Sequence, residues 1–124
     1  MLIRGSSGSG KSALALALLS RGAKLVADDR TRLAARGQHV LAWSPPAILG
    51  LVEARGIGLL RVDPAPPTCV ALVVDLDRAE TERLPPRRWC DIFGVPLPLV
   101  LGSGHSHIVD AIHVLLAQGR REDP

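Results

Sequence analysis

The stretch Gly5-Ser6-Ser7-Gly8-Ser9-Gly10-Lys11-Ser12 meets the pattern G-x-x-x-x-G-K-[ST] at every position. Small residues let successive backbone N–H groups curl round phosphate oxygens and form an anion-binding nest. A helix opening directly after the loop adds its positive dipole end to the same phosphates. Lys11 brings a mobile positive charge to the outer phosphates, and the Ser12 hydroxyl suits Mg²⁺. The nearest acids downstream are Asp28 and Asp29. Neighbouring side chains on an extended chain point in opposite directions, so one Asp can face the outermost phosphate while the other meets metal, water or backbone. Two solvated carboxylates in a plain turn are the alternative. Asp75, closing the apolar run Cys69–Val74, is a second acid in the pattern of a carboxylate holding Mg²⁺ through water.

These residues need strands and helices to hold them. Leu2–Arg4 reads as a short strand entering the loop, and Ser12–Arg21 as a helix of strong helix formers stopped at Gly22. Lys24–Ala27 reads as a strand ending on Asp28-Asp29, and Thr31–Arg36 with His39–Trp43 as a hairpin. Ser44-Pro45-Pro46 reads as the start of a helix running to Arg55, capped by Gly56. Leu59–Val62 is a strand, 63–68 a proline-rich loop, and Cys69–Val74 a strand buried on both faces. Asp77–Leu84 reads as a short helix stopped by Pro85-Pro86, Leu97–Leu101 as the last strand, and Ser106–Gln118 as a closing helix capped by Ser106. Residues 119–124 form a charged, frayed tail. Alternating strands and helices round a glycine loop predict an α/β fold, a P-loop NTPase-like sheet with flanking helices.

Composition narrows the function classes. The 124 residues fit one domain, and an apolar fraction of 47% suffices for a packed core. With one Phe, two Trp and no Tyr, the core falls to Leu, Val, Ile and Ala, which suits a mostly parallel sheet. The same scarcity of aromatics, and the lack of a dense Lys/Arg run, argue against nucleic acid. No apolar run approaches the roughly 20 residues that cross a bilayer, and no secretory signal opens the chain, so a soluble cytoplasmic protein is expected. Cys69 and Cys90 define no disulfide framework and read as buried free thiols. His105 and His107, one residue apart, are a poor match to metal-ligand spacing and read as exposed. His39 and His113 read as structural or solvated, and Trp43 and Trp89 as core or interface fillers.

Three stretches together resemble the HPr kinase/phosphorylases, bacterial enzymes that phosphorylate a serine of the phosphocarrier protein HPr. They are the loop Gly5–Ser12, the segment Arg21-Gly22-Ala23-Lys24-Leu25-Val26-Ala27-Asp28-Asp29-Arg30, and Glu53-Ala54-Arg55-Gly56-Ile57-Gly58, which matches E-x-R-G-x-G. The resemblance implies an ATP-dependent protein-serine kinase with HPr as substrate and Mg²⁺ as cofactor. Lys11 and Ser12 would bind phosphate and Mg²⁺, one of Asp28 and Asp29 would be the base for the serine proton, and Glu53 would complete the metal site. Arg55–Val62 would belong to the segment needed in both directions of the reaction. Arg83 lines up with an arginine that steadies charge on the phosphoryl group. The family's oligomeric habit extends to this chain as an expected homo-oligomer without a subunit number.

The resemblance departs in two places. The family carries a catalytic histidine in a strand upstream of the P-loop, whereas only four residues precede Gly5 here, so the reading expects a domain without that strand. Before its last helix the family has a P-x-R-P-G-R-N type loop important for phosphorolysis. The corresponding Leu101-Gly102-Ser103-Gly104-His105-Ser106-His107 has no arginine. Kinase activity is therefore expected ahead of phosphorylase activity. The alternatives from other classes are a catalytically impaired ATP-binding regulatory module and a P-loop kinase of small molecules.

Overall fold

The computed structural model describes residues 1–120. Its principal sheet takes β1 (Leu2–Arg4), β7 (Val73–Asp75), β9 (Val95–Leu101) and β8 (Arg88–Ile92) in the order β1-β7-β9-β8. β7 runs parallel to both of its neighbours, and β8 is antiparallel to β9. The sheet is mixed, with two of its three pairings parallel, close to the mostly parallel one that the scarce aromatics had suggested. Three carboxyl ends share one edge, so the loops after β1, β7 and β9 gather there.

Two helices pack on one face: α1 (Lys11–Leu19) and α2 (Ile108–Gln118). Leu14 and Leu18 of α1 and Ile112 of α2 meet Leu72, Val74 and Leu76. On the other face a three-stranded antiparallel sheet is built from β2 (Arg32–Arg36), β3 (His39–Trp43) and β6 (Thr68–Cys69). Its Val40 and Ala42 bury against Val73, Val95, Leu97, Leu99 and Leu101. Adjacent strand residues point to opposite faces, so Val73 and Val74, both 0% exposed, each anchor a different half of the core. Each fully buried aliphatic side chain of this kind contributes about 1.5–3 kcal/mol.

The β2–β3 hairpin forms where expected, turning at Gly37. The helix expected from Ser44 to Arg55 does not form. Only one 3-10 turn, Pro46–Ile48, survives, and β4 (Leu51–Ala54) then pairs with β5 (Gly58–Arg61) as a hairpin. Gly50 forces the break: its φ is 70° and a side chain there would sit 3.2 Å from Val62 O. Alternation then governs, with Val52 and Ala54 buried and Glu53 exposed. Gly56 serves the hairpin turn at φ 81° and caps no helix.

Lys24–Ala27 forms no strand: Leu25 alone is paired, in an isolated bridge, and Val26 is a bend. Leu25 bridges Pro64, donating to Asp63 O at 3.0 Å and accepting from Ala65 N at 2.7 Å. The apolar run Cys69–Val74 divides between β6 and β7, which belong to different sheets. The sequence reading missed β8, which enters β9 through a tight turn at Phe93-Gly94 with φ of 53° and 79°. Pro96 and Pro98 lie before β9 meets β7 at Leu99, so their missing N–H groups cost that ladder nothing.

Asp77–Leu84 is not helical, because its acids are drawn into tertiary bonds. Glu80 takes a two-pronged bond from Arg88 of β8, at 2.6 and 2.8 Å. Arg88 holds the Glu80 carboxyl at about 2, below its ordinary 4.5. A depressed carboxyl pKa stabilises the fold above 4.5, and that contribution disappears as pH falls through about 2. Glu80→Gln is therefore expected to lower the urea midpoint at neutral pH and to flatten its fall over this acid window. Midpoints measured across the window for both proteins check this.

Other expectations are revised at the surface. Cys69 is exposed and Cys90 partly buried, so the thiols are free without being buried. Trp89 is 55% exposed and does not fill the core, while His105 is half-buried. α2 starts at Ile108 with His107 as its cap residue and no side-chain cap, which removes the role given to Ser106. Gly119 ends α2 at φ 79°, and residues 121–124 of the expected frayed tail lie outside the described residues. Among the described residues, no helix is long and apolar enough to cross a membrane.

Candidate functional site

β1 delivers the chain into the loop Gly5–Ser12, and α1 leaves it at Lys11. Gly8 and Gly10 have φ of 83° and 100°, a region that costs other residues strain. Gly5 is required for a different reason: a side chain there would run into Ser9 Oγ and lie 3.3 Å from Leu76 Cβ. The Ser9 hydroxyl itself is buried with no hydrogen-bond partner. α1 begins without a side-chain cap, so its first N–H groups have no partner within the helix and face the loop's concavity. Lys11 Nζ folds back to donate to Gly5 O at 2.7 Å and Ser6 O at 3.2 Å. A flexible ammonium on two neutral carbonyls can move to a phosphate with little loss.

The structure adds an acid the sequence reading did not single out for the site. Asp77, just beyond β7, accepts from Ser6 N at 2.8 and 3.0 Å and from Ser6 Oγ at 2.7 Å. These bonds from Ser6, helped by the charge of Lys11, hold its carboxyl below the usual carboxylate range. The only hint in sequence is an acid three residues beyond the end of an apolar run. Asp75, buried at the end of β7, accepts from Asp77 N at 2.9 Å and lies 3.5 Å from Arg4. Asp75 thus orients the turn that carries Asp77, and Asp77 fixes the first turn of the loop. Asp77→Ala is expected to weaken nucleotide binding, because the loop must then be ordered at the moment of binding. Calorimetric titration of ATP into both proteins measures the difference.

Lys11 and Ser12 border a cleft of about 680 Å³ whose far wall includes Asp28 and Asp29. Asp28 is half-buried and accepts from the backbone N of Glu53 on β4 at 2.9 Å, while Asp29 is exposed. The loop and the aspartate pair therefore share a cleft, and Glu53 is tied to that pair through its backbone N–H, while its exposed side chain is not among the cleft-lining residues. Arg83 is exposed on the segment before β8 and is not among the cleft-lining residues. Among the described residues no three His, Cys, Asp or Glu side chains form a metal-binding group. Mg²⁺ suits such a site, since it keeps several waters and takes one or two protein oxygens beside phosphate. Ser12 would supply such an oxygen, whereas the exposed Glu53 carboxylate, which the resemblance assigns to the metal, is not among the cleft-lining residues.

The chain is similar to known proteins in both sequence and fold. Residues 1–66 match the model of the HPr serine kinase C-terminal domain. The HPr kinase/phosphorylase of Cupriavidus necator is 38% identical over 112 residues, 81% of this chain and 35% of that protein. The enzyme of that name from Xanthomonas campestris pv. campestris is 45% identical over 93 residues, 68% of this chain and 29% of that protein. The chain thus spans about a third or less of the length of these curated relatives. The structure of the HPr(Ser) kinase/phosphatase from Coxiella burnetii superposes with a TM-score of 0.78 at 28% identity, covering 93% of this chain and 83% of that one.

Proposed function

The chain belongs to the HPr serine kinase C-terminal domain family, and on that premise we propose that it transfers the γ-phosphate of ATP to a serine of an HPr-type phosphocarrier protein. One observation carries the reading: Lys11 and Ser12, which suit the outer phosphates, share a cleft with Asp28 and Asp29. The start of α1 and the Gly8–Gly10 backbone grip the phosphates, and Lys11 leaves Gly5 O and Ser6 O to follow charge on the γ-phosphoryl group. Ser12, with the Glu53 carboxylate, would hold Mg²⁺, which would neutralise phosphate charge. Asp28 serves as base: the Glu53 N–H fixes one carboxylate oxygen at 2.9 Å and leaves the other to accept the serine proton. That proton moves to Asp28 as the serine oxygen bonds to phosphorus and the bridging oxygen leaves on ADP.

Residues 101–107 carry no arginine, and kinase activity is therefore proposed ahead of phosphorylase activity. Incubating the chain with Mg²⁺, ATP and HPr, then mapping modified peptides by mass spectrometry, tests the proposal. A phosphoserine on HPr supports it. Tight ATP binding with unmodified HPr contradicts it and favours a non-catalytic nucleotide-binding module, while transfer to a metabolite instead favours a small-molecule kinase.

A further inference from the structure

β8 closes the principal sheet at the edge away from β1, and no strand among the described residues lies on its outer side. Pro96 and Pro98 stand opposite Asp91 and Trp89 in the β8–β9 ladder. Proline has no N–H to give, so these are the non-hydrogen-bonded pairs of the hairpin. Asp91 and Trp89 therefore aim their own N–H and C=O groups outward. Among the described residues, no backbone hydrogen bond outside that ladder takes up these groups.

Apolar side chains mark the same edge. The chain has one Phe and two Trp, and here Phe93 is 64% exposed and Trp89 55%. Cys90 and Ile92 turn inward to the Val40 core, so Trp89 and Asp91 share the opposite, helix-bearing face. An uncovered edge is a template for another strand, and aromatic side chains are enriched where chains meet.

We propose that β8 pairs antiparallel with β8 of a second copy about a two-fold axis at Trp89, joining two four-stranded sheets into one. Such an axis sets residues of one face opposite each other, and the residue at its centre decides what meets. Arg88 or Asp91 at the centre brings like charges together, which is destabilising. Cys90 there puts the Trp89 ring opposite the Asp91 carboxylate, and Ile92 runs the pairing into the turn at Phe93-Gly94. With Trp89 at the centre, the two indoles meet and Asp91 on each side faces the second copy's Arg87. Aromatic pairs and opposite charges both favour a cross-strand pairing. The cleft of Lys11 and Asp28 reaches Leu2 and Ile3 of β1, at the far edge of the sheet, and stays open in the dimer.

Sedimentation equilibrium of the whole chain at neutral pH tests the pairing. Wild type is expected to sediment as a dimer at micromolar concentration. Trp89→Lys, which sets two ammonium groups at the axis, should weaken the dimer by at least about thirtyfold, the value of an interface hot spot. Asp91→Arg should weaken it by setting arginine against Arg87. Combining Asp91→Arg with Arg87→Asp exchanges the charges and should restore the dimer, a rescue that no other centre gives. Circular dichroism checks that each variant keeps its fold. Trp89→Lys, at an exposed position, suffices alone if the Asp91 variants unfold on losing the 2.7 Å bond from Gly94 N. A monomeric wild type overturns the proposal. A dimer untouched by Trp89→Lys, or one that folded Asp91→Arg weakens and the exchange does not restore, overturns it equally.

Discussion

Asp28→Asn is expected to slow phosphoryl transfer to HPr by about 10²–10⁴-fold, the usual value of a positioned general base. Asparagine keeps the shape and can still accept the 2.9 Å bond from Glu53 N. The fold and the cleft should therefore persist, and only the proton acceptor is lost. ATP affinity is expected to stay near wild type, since no phosphate contact is assigned to Asp28. Asp29→Asn, at an exposed position not fixed by Glu53, should cost much less. Single-turnover rates at saturating ATP, together with ATP affinities, separate the effects. A larger loss in the Asp29 variant would move the base to Asp29, and unchanged transfer in both would remove the base from this pair.

The second large effect belongs to Lys11. Charge-assisted hydrogen bonds are worth about 1.5–3 kcal/mol, so Lys11→Ala should weaken ATP binding by about 10–150-fold. The fold should tolerate the change, because the lysine's hydrogen bonds without ligand go to Gly5 O and Ser6 O at a half-exposed site. Transfer should fall further than binding, since the same ammonium also meets charge that develops on the moving phosphoryl group. Equilibrium titration and turnover measured on one preparation distinguish these two losses. Arginine would not replace it well: its larger planar group cannot follow a phosphate as a compact point charge does.

The loop and its flanking elements were legible because local chemistry dictates them. Glycines at 8 and 10, a lysine and a serine have one common use at that spacing, and the strand before and helix after follow from short-range pattern. The β2–β3 hairpin was likewise legible in two short runs flanking Gly37-Gln38. Other elements depended on distant partners. Gly56 takes a positive φ, which suits a helix end and a hairpin turn equally, and only the partner β5 decides between them. The break at Gly50 depends on Val62 O, twelve residues away. β8 gave no familiar signal, because Phe93-Gly94 lacks the asparagine or aspartate that usually marks a two-residue turn.

The candidate site divides along the same line. Lys11, Ser12, Asp28 and Asp29 were singled out by motif and position and line one cleft, while Glu53, drawn from the resemblance, reaches it only through its backbone bond to Asp28. Asp77 was passed over as a helix residue, since its partner Ser6 lies 71 positions away. No local rule connects an acid beyond β7 to the second residue of a loop after β1. The parallel register that sets Arg4 beside Asp75 brings the two together.

The account meets its most direct test in a single-turnover assay with γ-labelled ATP, Mg²⁺ and HPr, run side by side on the wild-type chain and Asp28→Asn at saturating nucleotide. It predicts acid-stable label on a serine of HPr with wild type, and a rate lower by about 10²–10⁴-fold in the variant despite full ATP occupancy. ATP fully bound with no label reaching HPr, or equal rates in the two proteins, would contradict it.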